Sequence, residues 1–157
     1  MSINTIFRYI GRVLLINASF LLLSAGISAI YADLAFRPLL YSAIATALFG
    51  IFPIILVPPC KRITHNEGLI IVVFSWLLSC LVGTLPYQLW AGEFGFTNAW
   101  FESVSGYTTT GSSILTDIEA LPAGLLFWRA ATHWLGGWAS FCLFSRFCRR
   151  WARQGWY

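Results

Sequence analysis

Apolar residues run without a charge through residues 13–32, 39–57 and 68–92, each run close to the roughly 20 residues that a helix needs to cross the hydrocarbon core of a bilayer. Arg12 and Asp33 bound the first. Pro38 opens the second and the Pro58-Pro59 pair closes it, with Pro53 expected to kink it near its end. The third stops before Glu93. All three are too long for a signal-peptide core, and the first offers no convincing small-residue cleavage site, so it stays in the mature chain. Beyond residue 92 the pattern changes. Ala99, Trp100, Phe101 and Val104 form a short helical pattern, expected to be capped by Thr97 or Asn98, to last about eight residues and to end at Ser105-Gly106. Small and hydroxylated residues follow, apart from Tyr107, and an apolar segment resumes at Leu121. The elements predicted are all helices: an all-α, polytopic membrane protein with one re-entrant segment.

Composition agrees, since 58% hydrophobic residues, 10% charged residues and a mean hydropathy of +0.72 lie outside the range of soluble domains. Charge adds orientation, because short loops rich in Lys and Arg stay on the cytoplasmic side. Arg8 and Arg12 precede the first span, and Lys61 and Arg62 join the second to the third, so the N-terminus is expected inside. The loop carrying Asp33 and Arg37 is balanced, and the segment with Glu93 and Glu102 is acidic, which suits the outside. The net charge of +4 then reflects topology, and no basic-aromatic pattern points to nucleic acid. Cys60, Cys80, Cys142 and Cys148 have no CxxC spacing and no histidine cluster beside them, which indicates neither a metal site nor a redox motif. Cys80 is expected to be buried in the third span, His65 solvated in the inner loop, and His133 structural.

A span, a short helix, a polar loop and a returning apolar segment make the pattern of a re-entrant pore loop. Irregular backbone at membrane depth is tolerated only where it lines a watery path or is packed in protein. In a cation filter, backbone carbonyls replace the ion's water, which calls for an extended, narrow chain with no bulky side chain facing the ion. Thr109 and Thr110 have small side chains that can hydrogen-bond behind the loop, and Gly111 can take backbone angles closed to other residues. Potassium, the less tightly hydrated ion, is favoured over sodium. Asp117 and Glu119 either raise the cation concentration at the outer mouth or merely start a loop. Arg129 is expected to anchor the structure, by pairing with an acid or by reaching the interface, and Trp128 and Trp134 to form an interfacial aromatic belt. Glu102 lies within the pore helix, where a carboxylate is costly unless paired, and its partner is expected from another repeat.

The stretch FESVSGYTTTGSSILTDIEALPAGLLFWRAATHWLGG, residues 101–137, resembles the first pore-loop repeat of the Trk/Ktr/HKT superfamily of potassium transporters, in its bacterial TrkH type. The likeness extends back over most of residues 1–137. It implies four helix–pore loop–helix repeats around one potassium path, each filter centred on a glycine. Gly111 is that glycine by resemblance, with Thr109, Thr110 and Ser112 supplying neighbouring carbonyls. Residues 1–67 then hold two helices that precede the repeats, and residues 68–137 hold the first helix, the pore loop and the start of the second helix of repeat one. The resemblance further implies a bacterial inner-membrane protein that works as a homodimer with a cytoplasmic nucleotide-binding regulatory subunit. Potassium is the transported ion and no cofactor is implied in this chain, which has no GxGxxG or Walker sequence of its own.

Residues 138–157 depart from that pattern, with Arg146, Arg149, Arg150 and Arg153 where an apolar helix is expected. Each would cost about 2.5–3.5 kcal/mol at the centre of a span. Read one base earlier, the possible codons from Trp138 onward allow an uncharged apolar run, so a lost base near the Gly137 codon is expected, giving an incomplete and inactive fragment. A short autonomous membrane-interaction protein with a cationic amphipathic tail is the alternative. An enzyme is not expected, because no nucleophile–base pair or ligand cluster occurs at useful spacing.

Overall fold

In a computed structural model, the structure describes residues 3–57, 65–90 and 95–153, and these form helices joined by short loops, with no strand among them. Lys61, Arg62, Cys60 and Glu93 lie outside the described residues, as do the side chains of His65, Cys142, Cys148 and the four tail arginines. The order is α1 (Ile3–Ile30), α2 (Phe36–Leu56), α3 (His65–Gly83), α4 (Leu85–Trp90), α5 (Phe96–Tyr107) and α6 (Ala123–Arg153). Three stretches of described helix are long and apolar enough to cross a membrane: Ile6–Ile30, Phe36–Leu56 and Gly68–Trp90. These coincide with the three apolar runs of the sequence, and the chain is a multi-pass membrane protein.

Each helix turns one stripe inward. On α1 the buried residues Ile6, Ile10, Leu14, Asn17, Leu21 and Ser28 recur at helical spacing, while Phe7, Ile16, Leu22, Leu23 and Ile30 face outward. The inward stripe of α2 is small, with Ser42, Ala43, Thr46 and Gly50. Small residues suit packing in lipid, where close backbone approach and dispersion replace the hydrophobic effect between helices. The hydroxyls of Ser24, Ser42 and Thr46 donate to the carbonyls of Phe20, Pro38 and Ser42, so none requires water at membrane depth. Pro53 sits in the last turns of α2, and Val57 leaves the helix in extended backbone, as the residue before a proline must. The Arg8 guanidinium donates to the Val57 carbonyl and ties that end of α2 to α1.

The third span is not one helix. It breaks at Thr84 between α3 and α4, because Pro86 brings no N–H and its ring crowds the carbonyl four residues back. The Thr84 amide turns to the Leu81 carbonyl (3.2 Å), and the Cys80 carbonyl it would have met accepts the Ser103 hydroxyl of α5 at 2.6 Å. The break is thus where the span receives the short helix. Cys80 itself is buried, as expected.

Asp33 is not a solvated loop charge. The end of α1 closes with Ala32 at φ 51, the Ala32 amide on the Ala29 carbonyl and the Asp33 amide on the Ser28 carbonyl. That turn aims the Asp33 carboxylate across the fold, where it accepts the Ser28 hydroxyl, the Ala35 amide (3.1 Å) and the Gly124 amide in the first turn of α6 (3.1 Å). It caps α6 from a distant part of the chain. Replacing Asp33 by alanine is expected to destabilise the chain by about 2–3 kcal/mol, since charge-assisted bonds to buried amides are lost together, with Asp33→Asn losing about half of that. Equilibrium unfolding in bicelles measures both, and a cost under about 0.5 kcal/mol for the alanine variant would mean that these bonds do not hold the first turn of α6.

Candidate filter loop and its support

The short helix α5 spans Phe96–Tyr107, 12 residues, so it is longer than expected at both ends. Its N-cap is Gly95, which has no side chain to bond; the amides of Asn98 and Ala99 both turn to the Gly95 carbonyl, and Thr97 and Asn98 lie inside the first turn. At the other end Gly106 does not terminate the helix. A Cβ there would stand 2.2 Å from the Thr132 hydroxyl, so this glycine serves contact between α5 and α6. The helix instead ends at Tyr107, whose hydroxyl donates to the Asn17 amide oxygen at 2.5 Å, while the Asn17 amide nitrogen donates to the Ser79 hydroxyl at 2.9 Å. Tyr107, Asn17 and Ser79 thereby fasten the end of α5 to α1 and α3. Sequence reading passed over all three, although a lone asparagine in an apolar span carries its own signal.

The loop that follows is folded back and not extended throughout. Thr108 is right-handed, Thr109 has φ 59 and Gly111 has φ 75. A β-branched residue in the left-handed region costs about 1–3 kcal/mol and persists only where its surroundings enforce it. Here the enforcing group is the Ser105 carbonyl, which accepts the amides of Thr110 (3.2 Å) and Gly111 (3.5 Å) and the hydroxyl of Thr110 (3.2 Å). The Thr108 hydroxyl reaches the Val104 carbonyl at 2.8 Å and the Thr110 hydroxyl at 2.8 Å. The hydroxyls of Thr108 and Thr110 therefore lie behind the loop. The carbonyl of Ser112 accepts the Ser105 hydroxyl at 2.5 Å, and that of Gly111 accepts Nη2 of Arg129 at 3.2 Å. Among the described residues no hydrogen bond reaches the carbonyls of Thr109 or Thr110, both of which are exposed residues.

Behind the loop lies an ion pair. Glu102 is 1% exposed, and its partner comes from α6 of the same unit and not from another repeat: Nε of Arg129 stands 3.2 Å from its Oε2. Its Oε1 accepts the Ser113 hydroxyl (2.5 Å) and the Ile114 amide (2.8 Å). The sequence distance of this pair, across a loop, is what hid it. Arg129 therefore joins three parts at once, the pore helix through Glu102, the filter loop through Gly111 and its own helix α6. His133, one turn further along α6, has Nδ1 at 2.9 Å from the Arg129 carbonyl, and its Nε2 would stand 3.8 Å from a Cβ placed at Gly111. Four residues apart, Arg129 and His133 share one face of α6.

The remaining expected residues separate from this cluster. Asp117 is exposed and accepts the Glu119 amide at 3.1 Å, forming a local turn; Glu119 is exposed too. Trp134 is 57% exposed and packs its ring on Phe20 and Trp138, each 5.8 Å away. Trp128 is not an interfacial residue. It is fully buried and points its indole N–H at the Gly83 carbonyl (3.5 Å), filling the space opened by the break in the third span.

A family model described as "TrkH: Cation transport protein" matches residues 43–148. The chain is 32% identical over 142 residues to the Trk system potassium uptake protein TrkH of Salmonella typhimurium, covering 87% of this chain and 29% of that protein. It is 28% identical over 135 residues to an uncharacterized cation transporter, MJ1485, of Methanocaldococcus jannaschii, covering 86% and 28%. The crystal structure of the potassium transporter TrkH from Vibrio parahaemolyticus superposes with a TM-score of 0.81 at 28% identity, over 87% of this chain and 30% of that one. The chain thus spans less than a third of the length of these relatives.

Proposed function

Because the chain belongs to the TrkH family of cation transport proteins, we propose that it contributes one quarter of a potassium-conducting filter in the membrane. The observation that carries this reading is the loop after α5: among the described residues the adjacent carbonyls of Thr109 and Thr110 receive no hydrogen bond, while those of Gly111 and Ser112 are held by Arg129 and Ser105 and the Thr110 amide and hydroxyl by the Ser105 carbonyl. A dehydrated cation needs such oxygens, held in place before it arrives. In this reading Thr109 and Thr110 contact potassium, Gly111 and Ser112 shape the turn, and Glu102 with Arg129 keeps it from collapsing. Asp117 and Glu119 raise the local cation concentration at the outer mouth, a use open to exposed carboxylates. The working unit is a bacterial inner-membrane protein with its N-terminus in the cytoplasm, a homodimer under a cytoplasmic nucleotide-binding regulatory subunit. One quarter of a filter cannot encircle an ion, so transport requires the other three.

The test is a chimera in which residues 1–137 replace the matching segment of Vibrio parahaemolyticus TrkH, expressed in a bacterium lacking its own potassium uptake. Growth at low potassium is expected from the chimera and not from the 157-residue chain alone. In the chimera, Gly111→Ala places a side chain at φ 75, a strain of about 1–2 kcal/mol within the filter itself, and is expected to lower the preference for potassium over sodium. A chimera that reaches the membrane and moves no potassium would sink the reading.

A further inference from the structure

We propose that the space between α1, α3, α6 and the end of α5 binds a membrane-dissolved molecule with an apolar body and one hydroxyl, an alkanol or an alkylphenol. This space is a cavity of about 390 Å³. Its polar corner is made by Asn17, Ser79 and Tyr107, which are already hydrogen-bonded to one another. Ser75, one turn before Ser79 on α3, lines the same cavity. Ser75 is 6% exposed, and its hydroxyl has no hydrogen-bond partner among the described residues. Other buried hydroxyls of the spans, those of Ser24, Ser42, Thr46 and Thr84, fold back onto a carbonyl three or four residues earlier. That of Ser75 does not, and it is left to the cavity.

Depth and lining select the occupant. Ser75 lies seven residues into the third span, about 10 Å from Gly68, well inside the hydrocarbon region. A buried water needs two to four polar partners; Ser75 supplies one, and Asn17, Ser79 and Tyr107 are engaged with each other. Much of the remaining wall is apolar, including Ile71 and Leu135. An acyl chain would match that wall and leave the hydroxyl unmatched, whereas a hydroxyl on an apolar body answers both. Since an apolar cavity of about 150 Å³ already holds benzene, this one has room for a body of roughly ten carbons. Ile16 belongs both to the wall and to the outward face of α1, so entry is from the lipid side. An occupant would border Tyr107, the last helical residue before the loop. An effect on transport would rest on the proposed filter; binding does not.

The experiment photolabels the 157-residue chain in phosphatidylcholine vesicles with a decanol bearing a diazirine, and locates the label by mass spectrometry. Label is expected on Ile71, Val72, Ser75 and Tyr107. Unlabelled 1-decanol should compete about fivefold better than decane at equal concentration in the bilayer, the equivalent of one hydrogen bond of about 1 kcal/mol. Ser75→Ala removes an unpartnered buried hydroxyl, so it is expected to fold, to be labelled about fivefold less and to lose the distinction between decanol and decane. Ser75→Thr, which keeps a hydroxyl, should retain that distinction. Leu135→Phe, which narrows the cavity from α6, should lower labelling of the same residues with Ser75 intact. Label spread equally over the outward-facing Val73, Phe74 and Leu77 would mean simple partition into lipid and overturns the proposal. Undiminished labelling of Ser75→Ala, or equal competition by decane and decanol in the unaltered chain, overturns it too.

Discussion

Arg129→Gln is expected to destabilise the chain by about 3–5 kcal/mol, the range found when one member of a buried ion pair is removed. The reason is the asymmetry of burial: the Glu102 side chain is wholly buried and that of Arg129 is 14% exposed. Without Arg129 the carboxylate keeps the Ser113 hydroxyl and the Ile114 amide but loses its counter-charge, in a place water does not reach. Glu102→Gln should cost less, because Arg129 can reach solvent and the amide oxygen still accepts from Ile114. Arg129→Gln with Glu102→Gln should be milder than the two single costs combined, since the double variant leaves no buried charge. Unfolding free energies in bicelles complete the cycle; strict additivity would mean that the pair does not act as one. In the chimera, Arg129→Gln should also lower potassium uptake, because the same guanidinium holds the Gly111 carbonyl.

Gly136→Ala is the second large effect. A Cβ at this position would stand 2.2 Å from the Tyr107 carbonyl oxygen, 2.7 Å from its carbon and 2.9 Å from its Cα. These are backbone atoms, and they have no rotamer by which to retreat. On the other side Tyr107 is fixed by its hydroxyl bond to Asn17, so α5 cannot tilt away without breaking that network. Overpacking costs about 1–3 kcal/mol where side chains can yield, and the upper end or beyond is expected here. Because Tyr107 is the last helical residue before the loop, its displacement moves Thr109 to Gly111 directly. Gly26→Ala provides the control, since nothing lies within 4 Å of a Cβ there. If the Gly136 and Gly26 variants fold with equal stability and the chimera carrying Gly136→Ala transports potassium normally, α5 does not rest on α6 as described.

The three spans, the short helix and the loop were legible in the sequence because each depends on local composition. Apolar length, prolines and the run of threonines are properties of a few consecutive residues, and the bilayer converts apolar length into a crossing helix with little help from the rest of the chain. Boundaries were less legible. The glycine at 106 resembled a helix stop, but its missing side chain answers to Thr132 on another helix. Thr97 and Asn98 resembled caps, but Gly95 sets the start.

What only the tertiary structure decided are the long-range polar pairings. Glu102 with Arg129, Asp33 with Gly124, Tyr107 with Asn17, Ser103 with the Cys80 carbonyl and Trp128 with Gly83 all join residues far apart in the chain. In a medium without water each polar group must find a protein partner, and the choice depends on which helices lie side by side. The sequence by itself determined that the chain crosses the membrane and where it turns back. The three-dimensional packing determined which carbonyls of that turn are held, because Ser105 of α5 and Arg129 of α6 engage those of Ser112 and Gly111.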